Sequence, residues 1–185
     1  VESGSLVLLN AVCVKESISG SMAAGYPDHL KEIFDGNLFS SSDIVRDVNA
    51  WVKEKTKGMI EDAADESMNQ MLACLMNAIV FEAEWLEQYE EDQIQEGNFQ
   101  NADGTVTEVR MLKSSENTYI EDAFFTGFMK PYQDEKYAFM ALRPKKRRAF
   151  QQIDFAKLLD SATYGRVFVT MPEFRYDFGK DLTGL

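Results

Sequence analysis

The side chains that could do chemistry in this sequence are few, and they lack the partners that catalysis needs. His29 is the one histidine, and it falls on the polar side of a short amphipathic stretch, where it reads as a solvated surface residue. No metal-binding histidine pair, Cys-x-x-Cys, nucleophile elbow or phosphate loop occurs. Acidic clusters stand at Glu61, Asp62, Asp65 and Glu66 and at Glu87, Glu90, Glu91 and Asp92. With no histidine beside them they read as solvated faces rather than as a calcium or acid/base site. The basic run Lys145, Lys146, Arg147 and Arg148, preceded by Arg143, could hold a polyanion such as a glycosaminoglycan. A charged loop between a strand and a helix accounts for it without any function. The chain is therefore expected not to be an enzyme and to need no cofactor or metal.

Two asparagines are more informative. Asn10 sits within Leu8, Leu9, Asn10, Ala11, Val12, and Asn77 within the similar run Leu75, Met76, Asn77, Ala78, Ile79. A polar amide in an apolar strand costs about 1–3 kcal/mol unless it is hydrogen-bonded. Both are therefore expected in a local polar network within the core. Cys13 and Cys74 lie in the same two runs and read as small core hydrophobes, not as a disulfide framework.

The elements that must position these residues follow from periodicity. Ser5 to Lys15 is an almost unbroken apolar run that suits a central strand covered on both faces, and Met71 to Glu82 is a second. Between them, Tyr26 to Asp35 reads as a short helix that buries Leu30, Ile33 and Phe34, with Pro27 at its start and Gly36 past its end. Asp43 to Lys57 reads as a longer helix, with Ile44, Val45, Val48, Trp51, Val52 and Thr56 on one face and Gly58 as the stop. Two helices between two strands make a crossover and parallel pairing of those strands the economical arrangement. Beyond Trp85, strands are expected from Phe99, from Thr105 to Leu112 after a turn at Asn101 to Gly104, and near Asn117 to Ile120, Phe124 to Pro131 and Tyr137 to Leu142. A helix over Phe150 to Leu159, strands at Arg166 to Met171 and Glu173 to Tyr176, and a helix beginning at Lys180 complete an α+β chain with more than one sheet.

Composition limits the partners. With 185 residues, 45% of them hydrophobic, the chain can bury one sizeable core and is expected to act as a single domain. Its 31 acidic against 19 basic residues give a net charge of −12, which opposes binding to nucleic acid or an anionic membrane. No apolar run approaches the roughly 20 residues of a bilayer-spanning helix.

Several separated motifs resemble the serpin family in its order and at close to its spacing. Val48, Asn49, Ala50, Trp51 and Val52, with Thr56, Gly58 and Ile60, resemble the serpin helix that lies across the large central sheet. Leu75 to Phe81 with Trp85 resembles the strand that follows it. Val109, Met111 and Leu112 look like the family's Val-Pro-Met-Met segment, and Pro131 and Tyr132 like its Leu-Pro-Tyr hairpin. Met171, Pro172, Glu173 and Phe174, then Asp181 and Leu182, look like Leu-Pro-Lys-Phe and the start of the next helix.

The resemblance implies a serpin-like α+β fold: a large central sheet covered by a helix, smaller antiparallel sheets, and residues 1–185 as the central part of one domain. It implies a metastable, secreted suicide-substrate inhibitor of serine, or else cysteine, proteases, whose central sheet opens to admit a cleaved reactive loop. Asn77 matches the shutter asparagine that holds the sheet closed, and Phe81 and Trp85 match the breach where insertion starts. The hinge, reactive loop, opening helices and C-terminal strands of the family lie outside these residues, so this segment alone is expected not to inhibit. Its exposed sheet edges are expected to invite self-association. Ile94 stands where the family has threonine, Glu173 reverses the charge of the family's lysine, and Pro144 to Pro172 is short. The alternative is a non-inhibitory serpin-like binding or structural module.

Overall fold

The computed structural model describes residues 5–146, 153–176 and 178–180. The chain divides into two compact units, with the division between Ala83 and Glu84.

In the first unit, strand β1 (Leu6–Lys15) leads through a 3-10 turn (Glu16–Ser21) into helix α1 (Tyr26–Phe34), strand β2 (Asn37–Ser41) and helix α2 (Ile44–Lys55). A second 3-10 turn (Glu66–Gln70) then precedes strand β3 (Ala73–Phe81). The three strands form one sheet in the order β2-β1-β3. The crossover and parallel pairing expected between β1 and β3 instead join β1 to β2, a five-residue strand not anticipated from sequence. β1 and β3 are antiparallel, with Val12 opposite Leu75 and Leu8 opposite Ile79.

The reason lies in the polar segment after α2. At the start of α2 the Val45 N–H donates to Asn69 Oδ1 at 3.4 Å, just before β3 begins. Past its end Lys57 pairs with Glu82 at 2.5 Å, where β3 finishes. Helix α2 and β3 therefore run the same way. Residues 58–70 carry the chain back beside the helix, tied by Lys53 to Glu61 at 2.9 Å and by Asn49 to the Ala63 and Ala64 backbone. That return brings the chain to the end of β1, where the Lys15 N–H meets the Leu72 carbonyl at 2.8 Å, so β3 must run back against β1.

Helix α2 forms where Asp43 caps it, accepting from the Arg46 N–H at 3.1 Å, and its four-residue repeat buries Ile44, Val48 and Val52. These pack on Cys13, Cys74 and Ala64, with Trp51 half-buried against the cluster. Each fully buried side chain of this size contributes about 1.5–3 kcal/mol. The helix stops where Lys57 and Gly58 turn left-handed (φ 52 and 79), the Gly58 N–H closing on the Lys53 carbonyl at 2.8 Å.

The other face of the sheet is only part covered. Val12 and Val14 pack under Leu30 of α1, but Ile33 and Phe34, expected to be buried, are 64% and 59% exposed. The left-handed residue ending α1 is Asp35, not Gly36, which is needed for space: a Cβ there would meet Leu30 Cδ1 at 2.7 Å. Only Ala11 to Val14 of β1 are buried on both faces.

The second unit holds β4 (Ile94–Gln100), β5 (Val106–Glu121), β6 (Phe125–Pro131), β7 (Ala138–Pro144), helix α3 (Phe155–Asp160) and β8 (Ala162–Pro172). They make one antiparallel sheet, β4-β5-β6-β7, with β8 on β5. The hairpin at Asn101 to Gly104 forms as expected, closed by the Asn101 N–H on the Thr105 carbonyl at 2.8 Å. Strand character begins at Ile94 rather than Phe99, and Asn117 to Ile120 continues β5 instead of forming a strand of its own. β5 is long because it is paired on both edges, by β8 along one and by β4 and then β6 along the other. Glu173 to Tyr176 is not a strand. The core gathers Ile120, Phe125 and Leu158, with Leu142 and Ile153 against them. Residues 150–152 of the expected helix, and 181–185 of the last one, lie outside the described residues.

Candidate functional site

Asn10 and Asn77 face each other in the β1–β3 register. Ladder bonds at Lys15/Leu72 and Ser5/Glu82 make every second pair hydrogen-bonded, which leaves Asn10/Asn77 at a non-hydrogen-bonded position, where Cα atoms approach to about 4.5 Å. There the side chains reach each other. Asn77 Nδ2 donates to Asn10 Oδ1 at 2.7 Å and to the Leu9 carbonyl at 3.4 Å. Asn10 Nδ2 in turn donates to the carbonyl of Phe34, one of those that α1 leaves without an internal partner, at 2.9 Å. The network expected from sequence is present, but not in a core. Asn77 is exposed, and Leu75 and Ile79 on the same face are 78% and 62% exposed. A groove of about 280 Å³ lies beside the pair, lined by Tyr26, Leu30, Phe34 and Leu75 among others.

The matched helix residues clamp the opposite face. Asn49 accepts from the Ala63 and Ala64 N–H groups, both at 2.8 Å, and donates to the Ala64 carbonyl at 3.0 Å. Thr56 is buried; its hydroxyl donates to the Val52 carbonyl at 2.8 Å and accepts from the Ile60 N–H at 3.0 Å. Asn49, Thr56 and Gly58 thus tie the return segment to α2, while Trp51 packs against the cluster that α2 shares with Cys13 of β1 and Cys74 of β3. Phe81 ends β3 opposite Leu6.

In the second unit Trp85 stacks on Tyr132, ring centroids 4.6 Å apart and 9° from parallel, with Phe139 edge-on at 5.8 Å. Lys130 lies 5.7 Å from the Trp85 ring and 4.7 Å from that of Tyr89. Its ammonium donates to Glu116 at 2.9 Å, and both side chains are almost fully buried. Sequence reading missed this pair. Glu116 lies in the polar stretch Ser114 to Asn117, which looks like a break in a strand; a lysine immediately before Pro131 in an aromatic strand was the available signal.

Glu173 pairs with Arg110 at 3.0 Å, and its N–H donates to the Arg110 carbonyl at 2.8 Å. Arg110 stands between Val109 and Met111 of β5, so the Glu173 carboxylate is met by a cation of the neighbouring strand. In the basic run, Lys145 is engaged by Glu121 at 2.7 Å and by the Asp122 carbonyl at 2.6 Å. Arg147 and Arg148 lie outside the described residues. Ile94, at the family's threonine position, begins β4 opposite Leu112.

The family model described as Serpin (serine protease inhibitor) matches residues 2–185. A serpin-like protein of Thermococcus kodakarensis is 24% identical over 172 residues, 89% of this chain and 39% of that protein. The leukocyte elastase inhibitor of Equus caballus is 25% identical over 159 residues, 76% of this chain and 42% of that one. Among solved structures, the thermophilic serpin tengpin in its native state superposes with a TM-score of 0.82 at 29% identity, over 95% of this chain and 48% of tengpin. The chain spans less than half the length of these relatives. Its α+β architecture, two strands tied by an asparagine pair on one face and covered by a tryptophan-bearing helix on the other, is part of the serpin fold, and the chain belongs to the serpin family.

Proposed function

We propose that this chain is the central part of a single serpin domain whose whole protein is a secreted suicide-substrate inhibitor of serine proteases. The observation that carries the reading is the state of β3: among the described residues it has β1 as its one neighbour. On this reading its other edge accepts a further strand, and the Asn10–Asn77 link, with α2 above, holds the fixed half of the sheet in register. The reactive loop that would supply that strand, and with it the target protease, belongs to the whole protein. The test is to mix the full-length protein with a panel of serine proteases and look for a covalent complex that survives denaturing electrophoresis. A denaturant-stable complex at a stoichiometry near one supports the reading, and cleavage without a complex across the panel refutes it.

A second reading, a non-inhibitory binding or structural module, draws on Glu173. Its charge is met by Arg110, so it does not offer the cation that the family pattern places there. In either reading the open edge of β3 is also a template for a second copy of the chain.

A further inference from the structure

The chain has two cysteines, and they are register partners: Cys13 in β1 stands opposite Cys74 in β3. The Lys15/Leu72 and Ser5/Glu82 bonds lie an even number of residues away along the ladder, so the cysteines occupy a hydrogen-bonded pair. Such a pair holds its Cα atoms about 5.5 Å apart, within the roughly 4.4–6.8 Å that a disulfide spans. Both side chains enter the same cluster beneath α2, among Ile44, Val48, Val52 and Ala64, and both are free thiols.

We propose that Cys13 and Cys74 form a reversible disulfide tying β1 to β3, with a low-molecular-weight disulfide such as oxidised glutathione as the oxidant. One thiolate attacks the glutathione disulfide, breaking its S–S bond, forming a mixed disulfide and releasing one glutathione. The second thiolate attacks the protein sulfur of that mixed disulfide and releases the other glutathione. Two protein thiols become one disulfide, and one glutathione disulfide becomes two thiols. The bond is reversible for a geometric reason. Opposed Cβ atoms in a sheet sit about 4.5–5.5 Å apart, whereas a relaxed disulfide brings them to about 3.8 Å. The strain of closing that gap makes the bond easier to reduce.

Helix α2 governs access. Burial, with smaller contributions from Cys74 and from Asp47 of α2, pushes the Cys13 thiol up to about 11, and burial raises Cys74. The thiolate is the nucleophile, so exchange is slow while α2 is docked and faster when it lifts. The tie goes beyond the inhibitory reading and does not depend on it, because it leaves the outer edge of β3 untouched.

The experiment incubates full-length protein with oxidised glutathione, in buffer and in urea just below its unfolding transition, quenches with iodoacetamide and maps peptides without reduction. The expected result is a linked pair of peptides bearing Cys13 and Cys74, formed faster in urea and lost on adding dithiothreitol. Glutathione adducts without the linked pair, or two alkylated cysteines after refolding in the same glutathione buffer, would overturn the proposal. In Cys74→Ser the product is expected to stop at a glutathione adduct on Cys13. Cys13 linked elsewhere in that variant would also overturn it.

Discussion

Asn77 Nδ2 donates to Asn10 Oδ1 at 2.7 Å across β1 and β3, and Asn10 passes the link to the Phe34 carbonyl at 2.9 Å. The two amides act as one unit that joins β3, β1 and the end of α1. Replacing either by alanine is expected to destabilise by about 1 kcal/mol, the net worth of a hydrogen bond. Asn10→Ala should cost more than Asn77→Ala, because it also strips the Phe34 carbonyl. The double variant should cost less than the sum of the singles. Urea denaturation of all four proteins measures the coupling, and strict additivity would show that the amides act independently.

Lys130 and Glu116 make a different kind of pair, an ion pair out of reach of water. Lys130→Met is expected to destabilise by about 3–5 kcal/mol, because it leaves a buried carboxylate without its counter-charge. Replacing both, as Lys130→Met with Glu116→Leu, should recover most of that loss. Comparable losses in the single and double variants, read from denaturation midpoints, would contradict this.

Tyr89 offers a contrast within the same cluster. Its ring carries the Lys130 ammonium, while its hydroxyl is buried without a hydrogen-bond partner. Tyr89→Phe keeps the ring and removes the unsatisfied oxygen, so stability should hold or rise by up to about 1 kcal/mol. A loss on that scale, measured by thermal melting, would mean that the hydroxyl is in use.

The Cys13 thiol titrates at about 11 instead of its ordinary 9.0 because it is buried. The folded state therefore holds a proton that the unfolded state has released between those values. By linkage its contribution to stability is complete below pH 9 and is lost as pH rises through 11. Alkylation of Cys13 should accelerate about tenfold per pH unit over the same approach. In Cys13→Ala the alkaline fall in stability should flatten, and an unchanged slope would contradict the assignment.

Much of this was legible in the sequence where one residue's environment is set by near neighbours. The apolar runs located β1 and β3, and the spacing of Ile44, Val48 and Val52 located α2 and its buried face. Direction was not legible, because it depends on how Asn49 and Lys53 fold residues 58–70 back along the helix. β2 was too short and too polar to stand out, and its pairing with β1 makes it a strand. Glu116 looked like a break in a strand because its partner Lys130 is 14 residues away in the next strand. Ile33 and Phe34 have the spacing of buried residues yet stay exposed, since spacing names a face and not what covers it. The motif order pointed to the family and to Asn77, Trp85 and Glu173, and the repeated apolar run set Asn10 beside Asn77, but neither signal named Lys130 beside Trp85 or Arg110 beside Glu173.

The central claim is that β3 keeps an edge ready for another strand. Thermal unfolding of the full-length protein, intact and after limited cleavage in its reactive loop, tests this most directly. The account predicts that cleavage raises the midpoint by about 10 °C or more, well beyond the few degrees that 1 kcal/mol is worth in a domain of this size. An unchanged or lowered midpoint after clean cleavage would contradict it.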